Sequence, residues 1–335
     1  MRYYHFPSFA GIEALQVDER EVPEPRPDEV LLHMRAWSLN YRDLLISEGK
    51  YGRGQKPDVV PLSDGAGEVV AIGDAVTRWR VGDRVMPIFM PRWIGGPPST
   101  ERIRGALGGP ADGVLAEYVV ASESAVVAVP EHLNWEQAAT LPCAAVTAWH
   151  AVVTLGQAAP GQLVLTLGTG GVSLFALQFA ALSGASVVAT SSSGAKLARL
   201  AELGAGTLLD YAKTQQWGRE IFELTEGGVD HVIEVGGAGT LGESVAATRI
   251  GGRVSVIGVL ADGTGLDSSQ LLMKGIAMQG MFVGSRDVFE EMNRALAQHK
   301  FQPVLDEVFP FSEAKAAYQH FASRSHFGKV VLVAD

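Results

Sequence analysis

Short apolar runs alternate with helix-like patterns throughout the second half of the chain. The first run, Leu163–Leu167, precedes a glycine-rich turn and a segment with apolar residues at helical spacing that begins at Val172. Two further runs, Val187–Thr190 and Asp230–Val235, are each followed by a helical pattern. Strands buried on both faces form continuous apolar runs, and strands separated by helices form parallel sheets with right-handed crossovers. The pattern therefore predicts a doubly wound parallel sheet.

The first half of the chain has a different periodicity. Apolar and polar residues alternate from Val30 to Arg35, as in a half-buried strand. Further short β-type runs lie at Glu68–Ile72, Asp83–Pro87 and Glu117–Val120. Residues 91–113 are rich in glycine and proline, which predicts a long irregular loop. These segments predict a β-rich domain that precedes the α/β domain. After Gly284 the chain has a helical pattern and a closing apolar run, which could belong to either domain.

A glycine-rich turn follows the run Leu163–Leu167 and opens the next helical pattern. Its residues are Gly168, Thr169, Gly170, Gly171, Val172 and Ser173. In dinucleotide-binding folds such a turn lets the backbone approach a pyrophosphate and directs a helix N-terminus at the anion. Ser173 replaces the third glycine of the pattern and is small enough for close packing. The motif predicts a dinucleotide cofactor.

The end of the second strand of this unit indicates which dinucleotide binds. NAD sites usually carry an acidic residue about 20 positions after the glycines, which binds the ribose 2′-hydroxyl. This chain has Ser191, Ser192, Ser193 and Lys196 instead. Hydroxyls and an ammonium suit a 2′-phosphate, which a carboxylate would repel, so we expect NADP(H) rather than NAD. The alternative is that a serine caps the next helix and the lysine is solvated.

Composition restricts the class of protein further. The 335 residues are 47% apolar and 19% charged, which is typical of a globular chain, and the net charge is −10. This charge offers no electrostatic surface for nucleic acid or an anionic membrane. Residues 137–195 carry no charged side chain, but prolines, glycines and serines divide them into pieces too short to cross a bilayer. With no signal-peptide pattern at the N-terminus, we expect a soluble, cytoplasmic protein.

Cys143 is the single cysteine of the chain. One thiol cannot form an internal disulfide or a cysteine-rich structural zinc site. The eight histidines include no closely spaced pair of the kind that binds metal. Composition therefore disfavours a metal centre.

Several motifs occur in a specific order along the chain. They are Ser38–Asp43 (SLNYRD), Asp64–Val69 (DGAGEV), Val81–Val85 (VGDRV), Leu141–Trp149 (LPCAAVTAW), Leu203–Ala205, Gly251–Arg253, Gly280–Gly284 and His326–Lys329. Through them the chain resembles the medium-chain dehydrogenase/reductase superfamily, and within it the zinc-independent quinone oxidoreductase branch. The resemblance implies an α/β protein with a GroES-like β-rich catalytic domain (1–144 and 283–335), a Rossmann NADP(H)-binding domain (145–282), and an active site in the cleft.

Zinc-dependent members of this superfamily hold a catalytic zinc ion at three motif positions. By the resemblance, these positions are Asn40, Ser63 and Cys143 in this chain. An amide and a hydroxyl are poor zinc ligands beside thiolate and imidazole. We therefore expect no zinc, with Cys143 packed as a small apolar residue beside the nicotinamide.

Hydride transfer to an isolated carbonyl needs an electrophile, commonly zinc, to hold the developing alkoxide. Without one, a quinone or α,β-unsaturated carbonyl is the easier substrate, because its charge spreads into a hydroquinone anion or enolate. The resemblance implies that Asn40 and Ser63 donate hydrogen bonds near the nicotinamide, with Tyr41 and Arg42 as substrate contacts. The alternatives are that Asn40 and Asp43 cap a helix, that Arg42 is a structural salt-bridge partner, and that Ser63 is an ordinary loop hydroxyl.

The resemblance also implies a set of cofactor contacts. Asn40 is one of them, Thr147 would contact the nicotinamide ribose or carboxamide, and Tyr211 and Lys329 would contact the adenosine phosphates. The nicotinamide would be lined by Gly258, Phe282 and Val283. Without the resemblance, Thr147 would be a buried helix residue, and Phe282 and Val283 would be core.

The leading prediction is an NADPH-dependent reductase of small quinones or α,β-unsaturated carbonyls, with no nucleic-acid or membrane partner. One alternative is an NADP-dependent alcohol dehydrogenase that retains zinc. Another is a non-enzymatic relative that holds NADPH and serves as a structural or RNA-binding protein, against which the net charge of −10 argues. A homodimer is expected by analogy with the family.

Overall fold

The computed structural model of the chain describes residues 1–52, 54–258, 266 and 268–335. Residue contacts divide the chain into two compact units. The first unit comprises Met1–Val146 and Gly284–Asp335, and the second comprises Thr147–Val283. The boundaries expected from the sequence, after residues 144 and 282, lie within two residues of these.

The strands are numbered in chain order. They are β1 (Arg2–His5), β2 (Gln16–Glu19), β3 (Glu29–Ser38), β4 (Asp64–Ile72), β5 (Arg84–Pro87), β6 (Tyr118–Ser122), β7 (Val126–Ala128), β8 (Leu163–Leu167), β9 (Ser186–Ser191), β10 (Thr207–Asp210), β11 (Val229–Glu234), β12 (Thr248–Val256), β13 (Ala277–Gly280), β14 (Leu305–Pro310) and β15 (Lys329–Val333).

The α-helices are α1 (Tyr41–Ser47), α2 (Trp135–Ala139), α3 (Val146–Trp149), α4 (Gly171–Leu182), α5 (Gly194–Glu202), α6 (Trp217–Leu224), α7 (Leu241–Ala247), α8 (Ser268–Lys274), α9 (Arg286–His299) and α10 (Ala314–Ala322). Short 3-10 turns lie at Ile12–Ala14, Glu123–Ala125 and Phe311–Glu313. π-Helical turns lie at Leu141–Ala145 and His150–Thr154.

The first unit is built on a sheet in which both ends of the chain meet. Its strand order is β14-β15-β3-β4-β5-β7, with β6 also paired to β3, while β1 and β2 form a separate pair. β15 runs antiparallel to β3 and places Val331 opposite Ser38. The C-terminal strand therefore belongs to the β-rich unit, which decides between the two positions that the sequence left open.

The alternation along β3 predicts that one face of the strand is buried, and that face is buried in the structure. His33 and Arg35 are half-buried, and the residues that alternate with them are buried: Val30, Leu32 and Met34. Leu31 is also buried, because β3 lies inside the sheet and Leu31 pairs with Val120 of β6. β3 is therefore more enclosed than its alternation predicts.

The second unit contains the predicted parallel sheet. Its strand order is β10-β9-β8-β11-β12-β13, and every neighbouring pair is parallel. This is the doubly wound order, in which the order of successive strands reverses between β8 and β11 and ligands bind beyond the carboxyl ends of the strands. The apolar runs form its centre, since Leu165, Val188 and Val232 are fully buried. The doubly wound sheet expected from the sequence is confirmed.

The uncharged stretch 137–195 is divided among several elements. It contains the helical segment from Leu141 to Thr154, then β8, α4 and β9. Most of its apolar side chains are buried, which explains the absence of charge. Among the described residues, no helix has the length and the apolar character that crossing a membrane requires.

Candidate active site

Four segments of the first unit meet in one cluster of polar groups, which are buried except for the half-buried Cys143. They are the turn between β3 and α1, the start of β4, the segment Leu141–Ala145 and the start of β15. We call this cluster the polar centre, and its members are Asn40, Ser63, Asp64, Cys143 and Lys329. The structure thus brings together the three positions that the resemblance equated with zinc ligands, and it adds a carboxylate and an ammonium.

The ammonium of Lys329 carries the positive charge of the polar centre. Its side chain is only 3% exposed, and Nζ lies 3.7 Å from Oδ2 of Asp64. Nζ donates to the backbone oxygen of Leu39 at 2.6 Å and to Oδ1 of Asn40 at 2.7 Å. A buried ammonium requires such partners, because an unpaired charge is very unfavourable in the interior. The expected contact of Lys329 with cofactor phosphates stays a prediction.

Asp64 is fully buried at the start of β4. Its Oδ1 accepts a hydrogen bond from the Ser63 hydroxyl at 2.8 Å, and its Oδ2 accepts one from the backbone N–H of Cys143 at 3.3 Å. Burial raises the pKa of Asp64, while Lys329, Asn40 and Ser63 favour the ionised form and limit the rise. Our sequence reasoning quoted Asp64 in a motif but missed it as a site residue, although it directly follows Ser63.

The backbone before Ser63 is held in an unusual conformation. Leu62 has a φ of +64°, in the left-handed region that residues with a side chain rarely adopt. Its carbonyl accepts from the backbone N–H of Val114 at 2.9 Å. Gly108 and Gly113 pack so closely against the Leu62 backbone that neither position has room for a side chain. These contacts fix the turn that buries the Ser63 hydroxyl.

The turn into α1 is capped by Asp43. The backbone N–H of Asn40 donates to Oδ2 of Asp43 at 2.7 Å, and the N–H of Asp43 donates to the carbonyl of Asn40 at 2.9 Å. The capping alternative is therefore present for Asp43, while the side-chain oxygen of Asn40 is bound to Lys329. Burial raises the pKa of Asp43 to about 6, although Arg42 and the Asn40 N–H favour its ionised form.

Tyr41 and Arg42 open α1 in different surroundings. Tyr41 is half-buried, with the guanidinium of Arg324 at 5.9 Å from its ring centre. Arg42 is 7% exposed, and its Nη1 donates to the carbonyl of Leu107 at 2.8 Å. Nη1 also lies 3.7 Å from Oδ1 of Asp43. The ion pair that the sequence offered as the alternative function of Arg42 is therefore formed.

The polar centre does not fit a catalytic zinc ion. The amide oxygen of Asn40 accepts from the Lys329 ammonium, a positive charge that would repel a second cation. Ser63 offers a hydroxyl where zinc sites use thiolate, imidazole or carboxylate. Burial raises the pKa of the Cys143 thiol, and the neighbouring Asp64 acts in the same direction. Within the described ranges, the three side chains that lie close enough together to share a metal ion are elsewhere, on β14 and α10: Asp306, Glu307 and His320.

The glycine-rich turn lies in the second unit, between β8 and α4. Gly168 has a φ of +71°, and its backbone N–H donates to the carbonyl of Thr190 at 2.9 Å. Ser173 is buried, and its hydroxyl donates to the carbonyl of Leu167 at 2.6 Å, which closes the turn onto β8. Apart from the adjacent residues in the chain, no atom of the described residues lies within 4 Å of where a Cβ on Gly168 or Gly170 would stand. The loop and the N-terminus of α4 therefore leave space of the kind that a pyrophosphate occupies.

The serines after β9 have distinct positions. Ser191 is buried, Ser192 is exposed, and the hydroxyl of Ser193 accepts from the backbone N–H of Lys196 at 3.5 Å, as the N-cap of α5. The capping alternative is therefore present for Ser193. Tyr211 follows β10 with 43% of its surface exposed, and its N–H donates to the carbonyl of Ser191 at 3.1 Å. These residues lie at the carboxyl ends of β9 and β10.

The residues expected at the nicotinamide lie after β12 and β13. Gly258 contacts the backbone of Val235 so closely that any Cβ would overlap it. Phe282 is 45% exposed, whereas Val283 is buried. Nδ1 of His150 lies 3.1 Å from the carbonyl oxygen of Val283, a contact that sequence reasoning missed. Another residue expected near the nicotinamide, at the start of this unit, is the buried Thr147.

Glu234 is a second residue that sequence reasoning missed. It is fully buried at the end of β11, and its Oε1 accepts from the backbone N–H groups of Gly236 and Gly237 at 2.7 and 2.9 Å. The hydroxyls of Thr240 and Ser244 also donate to this carboxylate. A charged residue within the run Asp230–Val235 followed by two glycines was the available signal. Glu234 therefore fixes the loop at the edge of the sheet where cofactors bind in this fold.

Two family models match most of the chain. The alcohol dehydrogenase GroES-like domain matches residues 26–131, and the zinc-binding dehydrogenase family matches residues 171–298. A zinc-type alcohol dehydrogenase-like protein of Schizosaccharomyces pombe is 43% identical over 344 residues, covering 100% of this chain and 99% of that protein.

Solved structures are similar over the full length as well. An NAD-dependent alcohol dehydrogenase covers 100% of both chains, with a TM-score of 0.92 and 32% identity. A quinone oxidoreductase from Pseudomonas syringae covers 99% of both chains, with a TM-score of 0.84 and 25% identity. The similarity therefore includes both alcohol dehydrogenases and a quinone oxidoreductase.

Proposed function

Because this chain belongs to the medium-chain dehydrogenase/reductase superfamily, we propose that it reduces a quinone or an α,β-unsaturated carbonyl compound with NADPH and without a metal. Membership supports an oxidoreductase that uses a nicotinamide cofactor on a small molecule. The observation that carries the finer proposal is the buried Lys329 ammonium, bonded to Asn40 at 2.7 Å. The ammonium places a positive charge beside Asn40, at a motif position where a zinc-dependent enzyme has a ligand that is free to bind the metal.

The second unit provides the proposed cofactor site. The backbone N–H groups from Gly168 to Ser173, at the N-terminus of α4, hold the pyrophosphate. Ser191, Ser192 and Lys196 bind the 2′-phosphate, and Tyr211 packs beside it. When bound, the nicotinamide supplies a hydride.

The first unit provides the proposed hydrogen-bond donors for the substrate. Hydride addition at the β-carbon moves an electron pair onto the substrate oxygen, and a proton from water completes the reduction. Asn40 is the favoured donor to that oxygen: its own oxygen accepts from Lys329, and its amide nitrogen, which faces Asp64, has no partner in normal hydrogen-bond geometry among the described residues. Ser63 donates to Asp64, so we assign it to positioning the carboxylate.

A second candidate function is a zinc-dependent alcohol dehydrogenase. It is favoured by the name of the Schizosaccharomyces pombe relative, which is 43% identical. The donor set disfavours it, because Asn40 and Ser63 offer an amide and a hydroxyl, which are poor zinc ligands, and the Asn40 oxygen already accepts from the Lys329 ammonium. Elemental analysis of protein purified without chelator distinguishes the two, since a retained zinc dehydrogenase binds stoichiometric zinc.

The test of the proposal is NADPH oxidation by the purified chain across a panel of quinones, enones, saturated ketones and aldehydes, with and without chelator. We expect turnover of quinones or enones that chelator does not change. Turnover confined to saturated alcohols and aldehydes, lost with chelator and restored by zinc, would overturn the proposal. An absence of turnover with every substrate, despite NADPH binding, would favour a non-enzymatic function.

The proposal includes a homodimer formed through the second unit. β13 is the outer strand of its sheet and has one strand partner, β12, within the described part of the chain. Three large apolar side chains of the unit are strongly exposed: Ile250, Leu272 and Met273, at 72%, 81% and 79%. Apolar surface of this kind is typical of an interface. Sedimentation equilibrium measures the state directly, and a monomer at micromolar concentration would contradict it.

A further inference from the structure

Arg42 is buried in a rigid setting that leaves one edge of its guanidinium unused. Its side chain is 7% exposed, and the guanidinium carbon lies 4.6 Å from the ring centre of Tyr51 and 4.7 Å from that of Phe89. Nη1 donates to the carbonyl of Leu107 at 2.8 Å and lies 3.7 Å from Oδ1 of Asp43. Two rings, a carbonyl and a carboxylate therefore fix the plane of the group.

The side chain of Tyr51 interacts with the guanidinium and favours its charged form, but the other two nitrogens of Arg42 have no partner in normal hydrogen-bond geometry among the described residues. Both Nε and Nη2 are buried and unpaired. A buried donor without an acceptor is energetically unfavourable, and more so when it is charged. A conformation that keeps two such donors unpaired is therefore expected where a ligand provides the acceptors.

The unpaired nitrogens are the two that form one edge of the guanidinium. The N–H groups of Nε and Nη2 point in parallel from this edge, whereas Nη1 lies on the opposite side of the group. Two parallel N–H donors match the two oxygens of a carboxylate in a bidentate pair, whereas a single enolate oxygen satisfies such an edge less completely. The geometry of the free edge therefore favours a carboxylate.

Gly109 lies next to this edge and carries no side chain of its own, with the side chain of Ile46 as its other neighbour there. A Cβ built on Gly109 would lie 3.0 Å from Nη2 of Arg42. The backbone of Gly109 is tied by its N–H to the carbonyl of Ala111 at 3.0 Å and by its carbonyl to the N–H of Lys56 at 2.9 Å. Glycine at this position therefore provides room next to Nη2 that any other residue would fill.

We propose that the Nε–Nη2 edge of Arg42 binds a carboxylate carried by the substrate, so that the enzyme acts on α,β-unsaturated carbonyl compounds that bear a carboxylate group. This inference rests on the proposed reductase function. With 4-oxo-2-pentenoate as substrate, hydride from NADPH adds to the carbon β to the ketone, and the electron pair of the double bond moves to the ketone oxygen. Water then gives a proton to the α-carbon and leaves as hydroxide. The products are 4-oxopentanoate and NADP⁺, and the carboxylate is unchanged.

The test compares 4-oxo-2-pentenoate with its methyl ester, which has the same reacting atoms and no negative charge. We expect the wild-type chain to prefer the acid, and Arg42→Met to lower kcat/KM for the acid about 100-fold more than for the ester. Arg84→Met is the matched control. Arg84 also lies over an aromatic ring, that of Trp135 at 4.3 Å, donates to a carbonyl and has an unpaired Nε, and its loss leaves the ratio of acid to ester unchanged.

Gly109→Ala is a second test that keeps Arg42 in place, so its result does not depend on whether the fold tolerates the loss of the guanidinium. The added methyl group crowds Nη2, so kcat/KM for the acid falls about tenfold relative to the ester. Equal losses for acid and ester in both Arg42→Met and Gly109→Ala would mean that Arg42 is structural, and would overturn the inference.

Binding of 4-oxopentanoate separates this inference from the proposed function. If the wild-type chain reduces neither substrate, the reductase proposal fails, and calorimetric titration with 4-oxopentanoate then tests the Arg42 site alone. Saturable binding that Arg42→Met abolishes and Arg84→Met retains supports the carboxylate site. Absence of binding to the wild-type chain overturns it.

Discussion

Lys329 donates from its ammonium to the side-chain oxygen of Asn40 at 2.7 Å, although the two residues are 289 positions apart. The bond joins the start of the C-terminal strand to the turn after β3. It also orients the Asn40 amide, since an oxygen held by an ammonium leaves the nitrogen to face other groups. Asp64 lies on the same ammonium at 3.7 Å, so one cation holds both an amide and a carboxylate.

Replacement of Lys329 by methionine is expected to destabilise the fold strongly. The variant leaves Asp64 buried without its cation, and removal of one partner of a buried pair typically costs about 3–5 kcal/mol. Urea denaturation measures the free energy of unfolding. Lys329→Met combined with Asp64→Asn is expected to be less destabilised than the sum of the single variants, because no charge is left unpaired. Additive losses would mean that Lys329 and Asp64 are not coupled.

Cys143 is expected to be unreactive in the folded protein. Burial and the neighbouring Asp64 raise the pKa of its thiol, and the thiolate is the form that alkylating reagents attack. Iodoacetamide labelling at neutral pH, followed by mass spectrometry, should therefore be far slower in the native chain than in the chain unfolded in guanidinium. Because Cys143 is the single cysteine, the label reports on one site.

Cys143→Ser tests the same residue without a reagent. A protonated thiol that binds no metal is replaced by a hydroxyl of similar size, so NADPH binding and most of the reductase activity should be retained. Rapid labelling of the native protein, or loss of activity together with bound zinc in Cys143→Ser, would contradict the metal-free assignment.

Periodicity was sufficient to predict the sheet of the second unit. Its strands are buried on both faces, so runs such as Leu163–Leu167 are apolar throughout, and the glycine-rich turn from Gly168 marks where the first of them ends. The strand β15 was ambiguous because an apolar run does not specify its partner. Pairing of Val331 with Ser38 is a contact across most of the sequence, and local pattern carries no information about it.

The polar centre was predictable only in part, for a related reason. Asn40 and Ser63 were identified through motif positions, yet the residue that binds Asn40 is Lys329, which was assigned to phosphate. Its burial depends on strand β15 pairing next to the turn after β3. Similarly, Arg42 was expected as a substrate contact, with a structural salt bridge as the alternative, but the rings of Tyr51 and Phe89 that enclose it come from loops without periodic pattern.

Lys196→Ala is expected to weaken NADPH binding selectively. An ammonium that pairs with the 2′-phosphate contributes nothing to NADH, so the dissociation constant should rise about tenfold for NADPH and remain unchanged for NADH. Fluorescence titration of each cofactor measures both constants. The matched control is Lys213→Ala, since Lys213 is also a lysine of the second unit and is held by Asp210 at 3.0 Å. Equal affinity of the wild-type chain for NADPH and NADH would contradict the assignment of NADP(H).

His231 is expected to make the fold sensitive to acid. It is buried in β11 with Nε2 at 2.8 Å from the hydroxyl of Ser255. Burial and, to a smaller extent, the nearby Arg253 lower the pKa of His231 from an ordinary value of 6.5 to about 4. The unfolded chain therefore binds a proton before the folded chain does. His231 therefore contributes about 3 kcal/mol to the free energy of unfolding above pH 6.5, and this contribution is lost as the pH falls towards 4.

His231→Gln isolates this contribution from the other groups that titrate in the same range. Asp43 acts in the opposite direction, because a carboxyl with a pKa raised to about 6 binds its proton more tightly in the folded chain, which favours folding as the pH falls below 6. The difference in unfolding free energy between wild type and His231→Gln removes the Asp43 term, which both share. We expect this difference to shrink steadily as the pH is lowered from 6.5 to 4. A difference that is independent of pH would mean that the histidine is solvated in the native state.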